Sequence, residues 1–334
     1  MRNKTFPRAR HLCLLLIAAC SVTASMVMVH ANTLPTSTPV APSPRNPAAM
    51  QADALFWQTL HNGDYARIQP ALEAETGAHL RDPGDSTTTA HVGFLHIWRL
   101  SERARQGAVA PTVTDDAVLA RNYFQRAVNQ APGDARYQGF LASAMLAEAG
   151  IQHDPVLQRQ AERTMQEAIK AWPAFNLFTA GYVMSSLDAA SPGFQQALAW
   201  QWSNLDVCAR GPVDRLHPDI VRLTARIDAL PADARDRRAC NETAIASHNQ
   251  EGFFLNMGDM LVKSGNWQTA RTIYAAAKST PGYASWPFRH ELEQRIADAP
   301  ANVARFNAAV PPGSKPPARM MLGSSFACMA CHQQ

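Results

Sequence analysis

The sequence predicts an all-α protein, an irregular helical-repeat solenoid with a proline-rich tether at each end. Three observations carry this prediction. Strand-like alternation is scarce between Gln51 and about Ala309, whereas alanine, the strongest helix former, is abundant. Helix punctuation recurs: Asp154-Pro155 and Ser191-Pro192 each set a capping side chain before a proline at the first helical position. Pro132-Gly133-Asp134 and Ser264-Gly265-Asn266 read as breaks between helices. Finally, one pattern of small and large apolar residues returns along the chain.

Taken in order, residues 1–31 read as an export signal. Arg2, Lys4, Arg8 and Arg10 form a basic start, an apolar stretch runs from Leu12 to Val29, and Val29-His30-Ala31 fits a small-x-small cleavage site. A second reading takes Ile17-Ala18-Ala19-Cys20 as a lipobox with Cys20 lipidated, and a third leaves the signal uncleaved as an anchor. These are the routes by which the chain would meet a membrane. The expected compartment is the periplasm of a Gram-negative bacterium, with a membrane-anchored lipoprotein as the alternative. The formal charge of +4 rests on the four basic residues of the signal, so the mature chain is close to neutral. No nucleic-acid footprint follows.

Residues 32–49 carry Pro35, Pro39, Pro42, Pro44 and Pro47 among small polar residues and read as an extended linker. Residues 50–309 are the predicted helical-repeat domain. Within it, Ala120, Phe124 and Ala127 precede Pro132, and Ala161, Met165 and Ala168 precede Pro173 with the same internal spacing. The fullest copy is Met257-Gly258, Leu261, Gly265, Ala270, Tyr274, Ala277 and Pro281. Asn62-Gly63-Asp64-Tyr65 after Phe56-Trp57 looks like a degenerate earlier turn of this kind. The pattern resembles the tetratricopeptide repeat, whose small residues let paired helices approach closely and whose proline ends the second helix. The 41-residue offset between the first two copies departs from the family's period and predicts irregularity. The resemblance implies a concave face that docks a redox or scaffold protein partner.

Cysteine use fits an exported chain. Cys13 and Cys20 belong to the signal, Cys208 and Cys240 are the natural disulfide pair in an oxidising compartment, and Cys328 and Cys331 belong to the last element. That element, residues 310–334, opens with Pro311, Pro312, Pro316 and Pro317 and ends in Cys328-Met329-Ala330-Cys331-His332. C-x-x-C-H reads as a covalent haem-attachment site. Two thiols at this spacing can each add to one vinyl group of a porphyrin, and the following imidazole can ligate the iron. The motif resembles that of c-type cytochromes. The resemblance implies one haem c, held by Cys328 and Cys331, with His332 as proximal ligand. Two residues follow His332 in this sequence, so no cytochrome domain of the usual kind is expected downstream.

Distal ligand candidates are weak: Met320 and Met321 near the motif, and His248 and His290 around the fullest repeat. His91 and His96, five apart on a predicted helix, do not share a face and do not form a metal pair. The segment from Cys240 to Gly252 is polar and reads as a buried or functional loop. Trp200, Trp202, Trp267 and Trp286 read as packing residues. The sequence lacks a phosphate-binding glycine loop, G-x-S-x-G and H-E-x-x-H. The expected function is an exported mono-haem electron carrier or redox-docking scaffold rather than an enzyme. The alternative is a haem-free repeat adaptor whose terminal motif holds a metal or cycles as a dithiol. A haem enzyme acting on a small ligand such as peroxide ranks last, because no distal acid–base residues are evident.

Overall fold

The structure, a computed structural model, describes residues 45–61, 64–102, 111–240, 250–280, 282–286 and 288–309. Among these residues it is all-α, with thirteen α-helices and no strand. The helices are α1 (Pro47–His61), α2 (Ile68–Arg81), α3 (Ser86–Ser101), α4 (Asp115–Gln130), α5 (Ala135–Gln152), α6 (Pro155–Ala171) and α7 (Pro173–Val183). There follow α8 (Pro192–Cys208), α9 (Ile220–Asp228), α10 (Arg235–Cys240), α11 (Gln250–Lys263), α12 (Trp267–Ala276) and α13 (Arg289–Phe306). Each helix from α1 to α7 packs on the next, and α11, α12 and α13 pack on one another. Short α9 lies on α12, α10 lies on α7 and α8, and α11 touches α8. This is a helical-repeat fold, as the sequence predicts.

The recurring triplets explain the pairing. Ala120, Phe124 and Ala127 on α4, Ala161, Met165 and Ala168 on α6, and Ala270, Tyr274 and Ala277 on and just after α12 are all at most 2% exposed. On α6 those three residues are the whole buried stripe of a seventeen-residue helix. The first residue of each triplet is an alanine, so the helix can lie close to its predecessor, and the large residue fills the space beside it. Among the tryptophans, Trp202 and Trp286 are buried, while Trp200 and Trp267 are partly buried against the core.

The predicted punctuation is present. Asp154 accepts hydrogen bonds from the backbone N–H groups of Val156 and Leu157 at 2.8 and 3.0 Å, and Ser191 accepts from Phe194 N–H at 3.2 Å. Asp134 caps α5 in the same way. Gly265 has φ +89° between α11 and α12, where a side chain would be strained. One boundary differs. The linker predicted over 32–49 overruns the start of α1, because Pro47 is a helix start: Asn46 accepts from Ala48 N–H at 2.9 Å, and the proline occupies the first helical position.

Buried polar groups tie the layers together. Asn176 on α7 donates to the carbonyls of Ala135 and Ala168 at 3.0 and 2.9 Å, joining α5 and α6 to α7. The expected disulfide is present between Cys208 and Cys240, with Cα atoms 5.7 Å apart, and it links the ends of α8 and α10. Tyr274 on α12 donates to Asp259 on α11 at 2.5 Å, and Arg295 on α13 pairs with the same carboxylate at 3.2 Å. No helix among the described residues is long and apolar enough to cross a membrane.

Candidate functional site

The first three helices converge on a cluster of ionisable groups. Asp53 comes from α1, Glu75 from α2 and His91 from α3. His91 Nδ1 lies 2.9 Å from Asp53 Oδ1 and 3.0 Å from Glu75 Oε1. Glu75 is fully buried, and its second oxygen, Oε2, has no hydrogen-bond partner. The His91 ring stacks on Phe56, with centroids 4.0 Å apart and planes 8° from parallel, and Trp57 meets it edge-on at 5.7 Å. The aromatic pair fixes the ring so that Nδ1 faces the two carboxylates.

Arg45 closes the cluster from the start of the described chain. Its guanidinium pairs with Asp53 through Oδ2, donates to Asp85 at 2.7 Å and to Thr88 Oγ1 at 2.9 Å. Burial lowers the affinity of Arg45 for its proton, but Asp53 and Asp85 outweigh that and hold it more firmly charged than usual. Burial disfavours the Asp53 carboxylate, yet hydrogen bonds from His91 and Arg45 hold its pKa below the ordinary value. For Glu75 burial wins, and its pKa is raised. Burial opposes the charged form of His91, and the two carboxylates override it, so its pKa is raised.

The proton count is informative. Nδ1 carries at most one hydrogen and faces two carboxylate oxygens, so it cannot satisfy both in full. A proton shared with Glu75 can complete the set, and so can a cation that accepts lone pairs from all three. Asp53 and His91 also line a cavity of about 160 Å³ walled by Phe56, Trp57, Phe94, Tyr137 and Phe140, with Arg136 at its edge. The chemistry available is proton exchange or cation ligation beside a small aromatic chamber.

His91 and His96 diverge, as expected for their spacing. His96 turns to Asp116 at 2.7 Å and stacks on Tyr123. His290 lies exposed on α13 and accepts a hydrogen bond from Gln294 at 2.7 Å, so it offers no apolar pocket. Cys328, Cys331, His332, Met320, Met321 and His248 lie outside the described residues, as does the centre of the polar Cys240–Gly252 segment. Nothing in the sequence singles out Asp53 and Glu75, since three helices each supply one residue and no local motif joins them. No protein-family model matches the chain, and neither a curated protein nor a solved structure matches it.

Proposed function

We propose that the protein is an exported mono-haem c-type protein that transfers electrons or docks a redox partner, built on a tetratricopeptide-like helical array. The observation that carries the reading is Cys328-Met329-Ala330-Cys331-His332, a donor set whose two thiols and imidazole suit covalent haem. Cys328 and Cys331 would hold the porphyrin, and His332 the iron. Bound haem would supply a one-electron couple. The scaffold's part is to anchor the tail, exclude water and present the group to a partner. A periplasmic location, reached through the signal over residues 1–31, would let the chain meet both haem and an oxidising environment. The Cys208–Cys240 bond supports that compartment.

One groove on the scaffold supports the reading. An open groove of about 380 Å³ is lined by Leu146, Ala147 and Ile151 of α5, by Val183 at the end of α7 with Met184 and Leu187 just after it, and by Gln158 and Glu162 of α6. Its size falls within the range that holds small organic ligands. Ile151 and Leu187 are 39% and 41% exposed, apolar area that a porphyrin edge could cover. Two hydrogen bonds link the end of α13 to the rim of this groove: Asn307 donates to Lys263 O at 2.9 Å, and Lys263 Nζ donates to Leu187 O at 2.6 Å. The nineteen steps from Ala309 to Cys328 reach up to about 60 Å, which is ample.

The test is expression with haem-attachment machinery, followed by denaturation. Haem absorbance retained on the unfolded chain supports the reading, and its loss overturns it. Replacing His332 should change the iron spectrum while leaving the haem attached.

A further inference from the structure

We propose that Asp53, Glu75 and His91 form a binding site for one divalent transition-metal ion, of the class of Zn²⁺ or Mn²⁺, at the junction of α1, α2 and α3. The ligand atoms are Asp53 Oδ1, a Glu75 carboxylate oxygen and His91 Nδ1, which all lie within 4.8 Å of one another. A mixed set of one imidazole and two carboxylates suits these ions better than soft ones.

Four features point to a cation. The first is charge. Three carboxylates, the buried Glu75 and the half-buried Asp53 and Asp85, face the single guanidinium of Arg45. A proton shared between His91 and Glu75 offsets part of this excess, and one divalent ion would take its place.

The second is the Glu75 carboxylate. It is fully buried, and Oε2 has no hydrogen-bond partner. A buried carboxylate oxygen without a partner is costly, and a cation reached by both Glu75 oxygens would give Oε2 the partner it lacks.

The third is distance. With metal–ligand bonds of about 2.0–2.2 Å and tetrahedral angles, neighbouring ligand atoms stand about 3.4 Å apart. Nδ1 is 2.9 Å from Oδ1 and 3.0 Å from Oε1, so these two pairs need open by only about 0.4–0.5 Å.

The fourth is preorganisation. Phe56 clamps the imidazole by stacking, and Arg45 grips Asp53 through Oδ2 and, at 3.3 Å, through Oδ1, which holds Oδ1 towards His91. Both would orient ligands before the ion arrives. Asp53 and His91 also border the aromatic cavity, which gives the ion a path and room for water as a further ligand.

The site is independent of the terminal motif, and the experiment must keep the two apart. The full chain carrying Cys328→Ser, Cys331→Ser and His332→Ala is stripped with chelator and titrated calorimetrically near neutral pH with Zn²⁺ and, separately, Mn²⁺. One ion should bind saturably at one equivalent and raise the Tm. In the same background Glu75→Gln keeps the side-chain shape and should weaken binding about 100-fold, with the far-UV helix signal unchanged. Asp53→Asn serves the same purpose and is read in its place if Glu75→Gln does not fold. Absence of a saturable equivalent for both ions overturns the proposal, as does an equivalent that a folded Glu75→Gln or Asp53→Asn variant leaves untouched.

Discussion

Replacing Gly258 by alanine adds one methyl group where α11 has no room for it. A Cβ at this position would stand 2.2 Å from Cε1 and 2.3 Å from Cδ1 of Tyr274 on α12. Ordinary carbon contacts are about 3.5–4.0 Å, so the ring or the helix must move by more than about 1 Å. Tyr274 is fully buried and donates to Asp259 at 2.5 Å, so the ring cannot turn away without losing that bond. Overpacking costs about 1–3 kcal/mol. Loss of a hydrogen bond to a buried carboxylate costs about 1.5–3 kcal/mol more. Better helix propensity returns about 1 kcal/mol. The net destabilisation is therefore centred on about 3 kcal/mol, read as a lower urea midpoint with an unchanged m-value. Gly77→Ala is the control: it lies within α2 with nothing within 4 Å of its added Cβ, and it should gain up to about 1 kcal/mol. If Gly258→Ala proves as stable as the unmodified protein, the claim that a glycine sets the α11–α12 approach is wrong.

Three further outcomes are expected. Reducing the Cys208–Cys240 bond, which closes a separation of 32 residues, should cost about 3–4 kcal/mol by the chain-entropy model, measured by urea unfolding with and without reductant. Asn176→Ala removes both ties from α7 to the carbonyls of Ala135 and Ala168 and should cost about 2–3 kcal/mol in the same assay; a loss under about 0.5 kcal/mol would show that those bonds carry little. Burial, with Arg126 adding to it, holds the His79 imidazole below its ordinary value of 6.5. Folding thus favours neutral His79, and its contribution is present above about pH 6.5 and lost as the pH falls through the folded value. Between about pH 7 and pH 5 a His79→Gln variant should lose less stability than the unmodified protein, and an equal loss would count against this assignment.

The fold was legible because its signals are local. Alanine at the first triplet position, a large apolar residue four further on and a proline soon after identify helices that pack on their predecessors, and the buried triplets of α4, α6 and α12 follow that pattern. Asp-Pro and Ser-Pro mark helix starts for the same local reason. Pro47 was harder to read, because a proline in a proline-rich stretch looks the same whether it extends a linker or opens a helix; the asparagine before it is the distinguishing residue. The Asp53–Glu75–His91 cluster was not legible. It depends on how α1, α2 and α3 are rotated against each other, and a sequence of one chain gives the stripe of each helix but not which polar residue at its edge meets which. Glu75 is the extreme case, a charged residue wholly inside the stripe of α2, where charge would ordinarily predict exposure.

Covalent haem on the tail is tested by the intact mass of the mature protein made with haem-attachment machinery, with the C-terminal peptide then isolated by proteolysis. The expected product is a chain that begins after Ala31 and carries the mass of one haem, retained on the peptide that holds Cys328 and Cys331. A peptide with the mass of the bare sequence, its two thiols free or joined to each other, would contradict it.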